Sequence, residues 1–228
     1  MPFAGAGIPP DPPGPRPPAT RPEGFRALAH VLRHLPGRSY SGVVAVAGSP
    51  GGALRIVDGN VIAVWSAGTP DVAALLPHRV RIGAAERQLV CLMAAFDAAF
   101  AIGMGEAPGV NTEPTPVVPE LPCHQSLEPD RLLDETARRM AAVHALRTPV
   151  HPYRHTPQPT PHGAALLDRG TADERTAILR HADGRRSPRD IAFRVGRGLY
   201  AVTVELSRML ADGLVDIRAS PGGAPGNG

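Results

Sequence analysis

The chain has 228 residues, with 24 basic and 21 acidic side chains giving a formal net charge of +3, which excludes a histone-like polycation. Its 27 prolines and 25 glycines stand beside 43% apolar residues, so folded modules are expected to alternate with loose segments. Two cysteines do not make a disulfide scaffold, no basic-then-apolar leader opens the sequence, and no apolar run is read as long enough to span a bilayer, so a cytoplasmic protein with no membrane partner is expected.

Residues 1–23 hold nine prolines and almost nothing to bury, which predicts a disordered or polyproline-like tail. A Pro-rich docking ligand is the alternative. Residues 24–104 read as a first folded unit. Phe25, Leu28, Val31, Leu32 and Leu35 fall on one helical face, and Pro36-Gly37 ends the helix. Three β-rich runs follow, Gly42–Ala47, Ala53–Val57 and Val61–Ser66. The glycine-rich links Gly48–Gly52 and Asp58–Asn60 predict an antiparallel meander, with Asp58 a turn residue rather than a catalytic acid. Trp65 is expected in the core or on a dimer surface, with ligand stacking as the alternative. A short helix over Pro70–Leu76 precedes a long apolar one over Ala84–Met104. Leu89, Leu92, Met93, Phe96, Phe100 and Ile102 form its stripe, buried against the sheet or a partner subunit. Cys91, within that helix, is expected to be an inert buried thiol.

Residues 105–162 read as a Pro/His-rich linker carrying one helix, 129–146, with Leu132, Leu133, Ala137, Met140 and Val143 as its stripe. Thr148–His162 has five prolines and three histidines and is expected to be loose. Cys123, His124, His144, His151, His155 and His162 are residue types that suit zinc. Without a CxxC pair or a rigid frame they are read as solvated linker, with no metal.

Residues 163–218 read as a second compact unit. Thr171 and Glu174 form a capping box for a helix running through Ala182. Ser187, Pro188 and Asp190 open the next helix, which ends at Gly196. A third runs from Leu199 to about Asp212, and Leu214–Ile217 reads as a short strand. The tail 219–228 is expected to be mobile. The fold class is α+β: a small helix and antiparallel-meander domain followed by a mainly α, winged-helix-like domain.

The segment from Ser187 to Ile217 resembles the winged-helix unit of MarR-type regulators, and the run from Leu28 through Leu76 resembles the PATAN domain of bacterial signalling proteins. Together they are similar to the layout of actinobacterial transcriptional regulators. The PATAN likeness implies a non-catalytic sensing or dimerisation module. The winged-helix likeness implies a helix-turn-helix whose last helix reads the major groove. Arg185, Arg186, Arg189, Arg194 and Arg197, against Asp190 alone, are the candidates for phosphate contact. Tyr200, Thr203, Ser207 and Arg208 are the candidates on the reader helix, although that helix is poor in the Arg, Lys, Asn and Gln that read bases. No phosphate loop with Lys, HExxH, GxSxG or acid pair occurs, so no enzyme and no cofactor is expected. Two functions remain open. One is a DNA-binding regulator acting as a homodimer. The other is a signalling adaptor whose winged helix contacts proteins.

Overall fold

The structure is a computed structural model that describes residues 22–35, 39–76, 83–106, 126–170 and 173–219. The expected tails over 1–21 and 220–228, the segment with Cys123 and His124, and Thr171 lie outside the described residues. Among the described residues the chain is α+β, with eight helices, a three-stranded antiparallel sheet and a two-stranded antiparallel ladder.

Helix α1 (Glu23–Arg33) buries Phe25, Leu28, Val31 and Leu32, the expected face. It crosses the end of α3 so closely that a Cβ on Gly24 would sit 2.0 Å from the Ile102 carbonyl oxygen, which only glycine tolerates. Strands β1 (Gly42–Val46), β2 (Gly52–Val57) and β3 (Asn60–Ser66) form the expected meander, with Val44 opposite Leu54 and Leu54 opposite Val64. Asp58 and Gly59, at φ 48° and 74°, make the β2–β3 turn, so Asp58 is a turn residue as expected. Trp65 is half-buried on β3 opposite Ala53.

After the short helix α2 (Val72–Leu75), α3 (Ala84–Met104) runs through the centre of the molecule. It packs against β3, α1, α4 (Pro129–His144) and α8 (Leu199–Ala211). Seven of its last ten residues are alanine, phenylalanine or glycine. The small residues admit close neighbours, and Ala99, Phe100 and Ala101 are fully buried. By length and composition α3 is apolar enough to cross a bilayer, contrary to the expectation that no run is; 67% of its most apolar window is buried inside the protein. The expected stripe also needs correction. Phe96, Phe100 and Ile102 are buried, whereas Leu89 and Met93 are 58% and 47% exposed. Among the described residues the burial of α3 is concentrated from Ala94 onward, with α2 packed beside its start. Cys91 is disulfide-bonded rather than a free thiol.

The expected linker is the largest revision. Helix α4 occupies nearly its predicted span but lies in the core, with Leu132, Leu133, Met140 and Val143 buried. Thr148–His162 is not loose: it contains β4 (His155–Pro159) and opens α5 (Pro161–Asp168). Strand β4 tolerates its prolines because it is an edge. The Pro157 carbonyl accepts from Gly184, on the side away from β5 (Val215–Ala219), where a missing N–H does no harm. Thr160 caps α5 by accepting from Gly163 N–H, with Pro161 in the first turn.

Helix α6 (Glu174–Leu179) is capped by Asp173 through Thr176 N–H, so the acceptor lies two residues beyond the expected Thr171. Helix α7 (Pro188–Val195) has the expected Ser187–Asp190 capping box and stops at Gly196 with φ 64°. Helix α8 follows within three residues. Strand β5 then pairs with β4, Ile217 opposite Pro157. Since α3 touches the sheet, α4 and α8, the buried side chains form one continuous cluster from Phe25 to Val215.

Candidate functional site

The α6–α7–α8 region gathers the nine residues proposed for nucleic-acid contact, but it engages most of them internally. Arg186 folds back onto Asp183 at 3.0 Å. Arg189 donates Nε–H and Nη2–H to the Ala67 carbonyl at 3.1 and 2.7 Å, and its guanidinium lies over the Phe193 ring. Arg197 pairs with Glu174 at 3.2 Å and Arg208 with Glu205 at 3.5 Å. Arg185 and Arg194 are exposed and make no ion pair among the described residues.

Thr203 and Ser207 point inward. They lie on the same stripe as Leu199, Val202 and Leu206 and are 0% and 1% exposed. Their hydroxyls donate to the carbonyls four residues back, Leu199 and Thr203, which allows polar side chains inside an apolar contact. Ser207 also accepts the Val150 amide at 3.0 Å, tying α8 to the segment before β4. Tyr200 is half-buried, edge-on to Phe100 with ring centroids 5.4 Å apart.

The residue that organises this region is Asp97, the lone acid in the apolar half of α3. Gly198 precedes α8 and offers no side-chain cap, so Asp97 supplies one from another helix. Its Oδ2 accepts Leu199 N–H at 2.6 Å and its Oδ1 accepts Tyr200 N–H at 2.8 Å. Burial pushes the Asp97 carboxyl above its ordinary pKa, against the opposing pull of the two amides and of Arg139.

Arg139, from α4, lies alongside with its side chain 4% exposed, its guanidinium 5.3 Å from the Phe96 ring centroid and 5.0 Å from that of Tyr200. Its Nε donates to Glu135 at 2.8 Å. Its Nη1 is 4.0 Å from Asp97 Oδ1, and among the described residues its Nη2 meets the Met93 sulfur alone, at 3.9 Å. Glu135 also takes two bonds of 2.7 Å from Arg138, and these, with Arg139 and against burial, hold its carboxyl down to about 2. A single acid inside the run Met93–Phe100 was the available signal for Asp97, because a buried carboxylate needs donors.

Beside this network opens an apolar groove of about 320 Å³, walled by Leu75, Leu89, Val90 and Met93 and by the Gly196–Gly198 turn, with Arg139 and Tyr200 in its floor. At the far end of α3, Tyr153 donates its hydroxyl to the Ala101 carbonyl, and Arg154 pairs with Glu106. There His151 and His155 come together, ring centroids 6.3 Å apart. His155 Nδ1 accepts the His151 amide at 3.0 Å and His151 Nδ1 accepts the Tyr153 amide at 3.2 Å, so both rings serve as turn caps in neutral form. Burial, then Arg154, lowers His151 to about 4 and lowers His155 as well. Among the described residues no three His, Cys, Asp or Glu side chains converge as metal ligands.

No protein-family model matches this chain, no curated protein matches it in sequence, and no solved structure matches it in fold.

Proposed function

We propose that this protein is a non-catalytic adaptor, in which a PATAN-like first part and a winged-helix-like second part act as one protein-binding body. The observation that carries this reading is the capture of the α8 N-terminus by Asp97. A reader helix enters a major groove with its first residues. Here Leu199 is fully buried, its amide and that of Tyr200 bond to Asp97, and α2 and the start of α3 flank the same turn. The solvent side of α8 is largely self-neutralised: Arg175 donates to both Glu205 and Asp212, at 2.6 and 2.8 Å. Exposed Leu89, Met93 and Phe193 supply the apolar area that protein contacts use. The partner in this reading is a protein, a second copy of the chain included.

One observation favours the alternative, a DNA-binding regulator. Arg180, Arg185 and Arg194 stand exposed around the α6–α7 turn. After burial, the field of Arg186, Arg194 and Arg180 is what lowers the neighbouring His181. Fluorescence anisotropy of a labelled random duplex, with salt varied, separates the two readings. The adaptor reading expects no saturable binding at low salt, where phosphate contacts are strongest. Binding with a log–log salt slope of about −3 to −5, reduced by about 2 in Arg185→Ala plus Arg194→Ala, overturns it and transfers the function to the regulator.

A further inference from the structure

The groove beside Asp97 contains a donor set that the protein does not itself fill. Arg139 is buried, yet of its five N–H groups only Nε–H meets an oxygen within hydrogen-bonding distance among the described residues. Its end-on pair, Nη1 and Nη2, lies between Asp97 Oδ1 at 4.0 Å and the Met93 sulfur at 3.9 Å, and all three residues line the groove. Asp97 does not satisfy that pair, because both of its oxygens are turned to the α8 amides. Buried donors without acceptors are rare in folded proteins, and a guanidinium edge matches the two oxygens of a carboxylate. The Phe96 and Tyr200 rings fix the plane of the guanidinium, so the edge is held in place before anything binds. Around it the walls are aliphatic, and the volume of about 320 Å³ falls within the range of small-ligand pockets. Met93, a flexible side chain 47% exposed, is the group bonded to Nη2 among the described residues and can swing away without backbone movement.

We propose that this groove binds an apolar monocarboxylate, whose carboxylate takes the Nη1–Nη2 edge of Arg139 while its hydrocarbon body lies on Leu75, Leu89, Val90 and Met93. Arg197, at the rim, adds a second positive charge. Its exposed pair with Glu174 is the kind that contributes little and exchanges readily. The inference concerns a small ligand and does not depend on the adaptor reading.

The test is isothermal titration calorimetry of the full chain with sodium octanoate, sodium hexanoate and 1-octanol. Octanoate is expected to bind one to one. It should bind roughly tenfold or more tightly than hexanoate, at about fourfold per methylene, and at least about tenfold more tightly than octanol, which lacks the charge-assisted bond. Leu89→Gln changes an exposed wall residue and leaves the fold intact, and it should weaken octanoate severalfold. Arg139→Gln should erase the preference for acid over alcohol. If that variant does not fold, the octanoate–octanol contrast and Leu89→Gln decide the matter. Octanol binding as tightly as octanoate, no saturable octanoate binding below its micelle-forming range, or octanoate affinity unchanged by Leu89→Gln would each overturn the proposal.

Discussion

Replacing Asp97 tests how firmly α8 is held. Asp97→Ala leaves the buried Leu199 amide and the part-buried Tyr200 amide without acceptors, since Gly198 has no side chain to replace the lost cap. Each orphaned buried donor costs about 1–3 kcal/mol. Among the described residues Arg139 meanwhile keeps Glu135 alone as its acidic partner. Release of a buried carboxylate from its unfavourable surroundings offsets part of that loss. The net expectation is a destabilisation of about 3 kcal/mol, read as a lower urea midpoint at unchanged slope. Asp97→Asn keeps one acceptor and sets its NH₂ against the other amide, so it should lose about 2 kcal/mol.

The pH dependence supplies a second reading. Because the Asp97 carboxyl titrates above its ordinary value, the folded state holds this proton more tightly than the unfolded chain. Its stabilising contribution is therefore complete below the unfolded pKa and is lost as pH rises through the folded one. Asp97→Asn should remove that slope. Both variants falling within about 0.5 kcal/mol of the parent would refute the reasoning, because that is the range of surface substitutions away from any special feature.

Gly198→Ala should destabilise by about 1 kcal/mol, since its Cβ would stand 3.2–3.3 Å from all three carboxyl atoms of a side chain pinned by two amides; thermal melts check it, and an unchanged midpoint argues against a rigid Asp97. Ser207→Ala orphans the buried Val150 amide and should cost about 1–3 kcal/mol, whereas Arg208→Ala, on the exposed side of the same helix, should stay within about 0.5 kcal/mol; equal losses would place the wrong side of α8 in the core. The fold should weaken as pH falls from about 6.5 to about 4, because the unfolded chain protonates His151 first, and the His151 part of the loss should level off below that window while Glu135 continues it toward about 2. Discounted for solvent on the open side of the ring, the loss is about 1–2 kcal/mol. His151→Gln and His155→Gln should flatten this acid limb of a urea-midpoint profile, and an unchanged limb would separate the histidines from it.

Much of the architecture was legible because it rests on local signals. The α1 stripe, the glycine turns of the meander, the Ser187–Asp190 box and the Gly196 stop each act within a few residues, and each element stands where they put it. Strand β4 was not legible, because prolines at 157 and 159 argue for a loop unless the strand is an edge, and what makes it one is β5, almost 60 residues later. The Thr160-Pro161 start of α5 was a usable local signal that the surrounding prolines concealed. On α8, Thr203 and Ser207 read as polar surface because their type is polar. Their spacing with Leu199 and Leu206 already placed them on the buried stripe, where backbone carbonyls satisfy the hydroxyls. The Asp97–Arg139 network is long-range in sequence, and a lone acid in an apolar helix marked one partner without naming the other.

The claim on which the account rests is that the first turn of α8 is closed off by α3. Native-state hydrogen exchange at the Leu199 and Tyr200 amides tests it most directly. The account predicts that both exchange only through opening of the whole fold in the parent protein, and much faster in Asp97→Ala. Free exchange of both amides in the parent would contradict it, because α8 would then be open to enter a DNA groove.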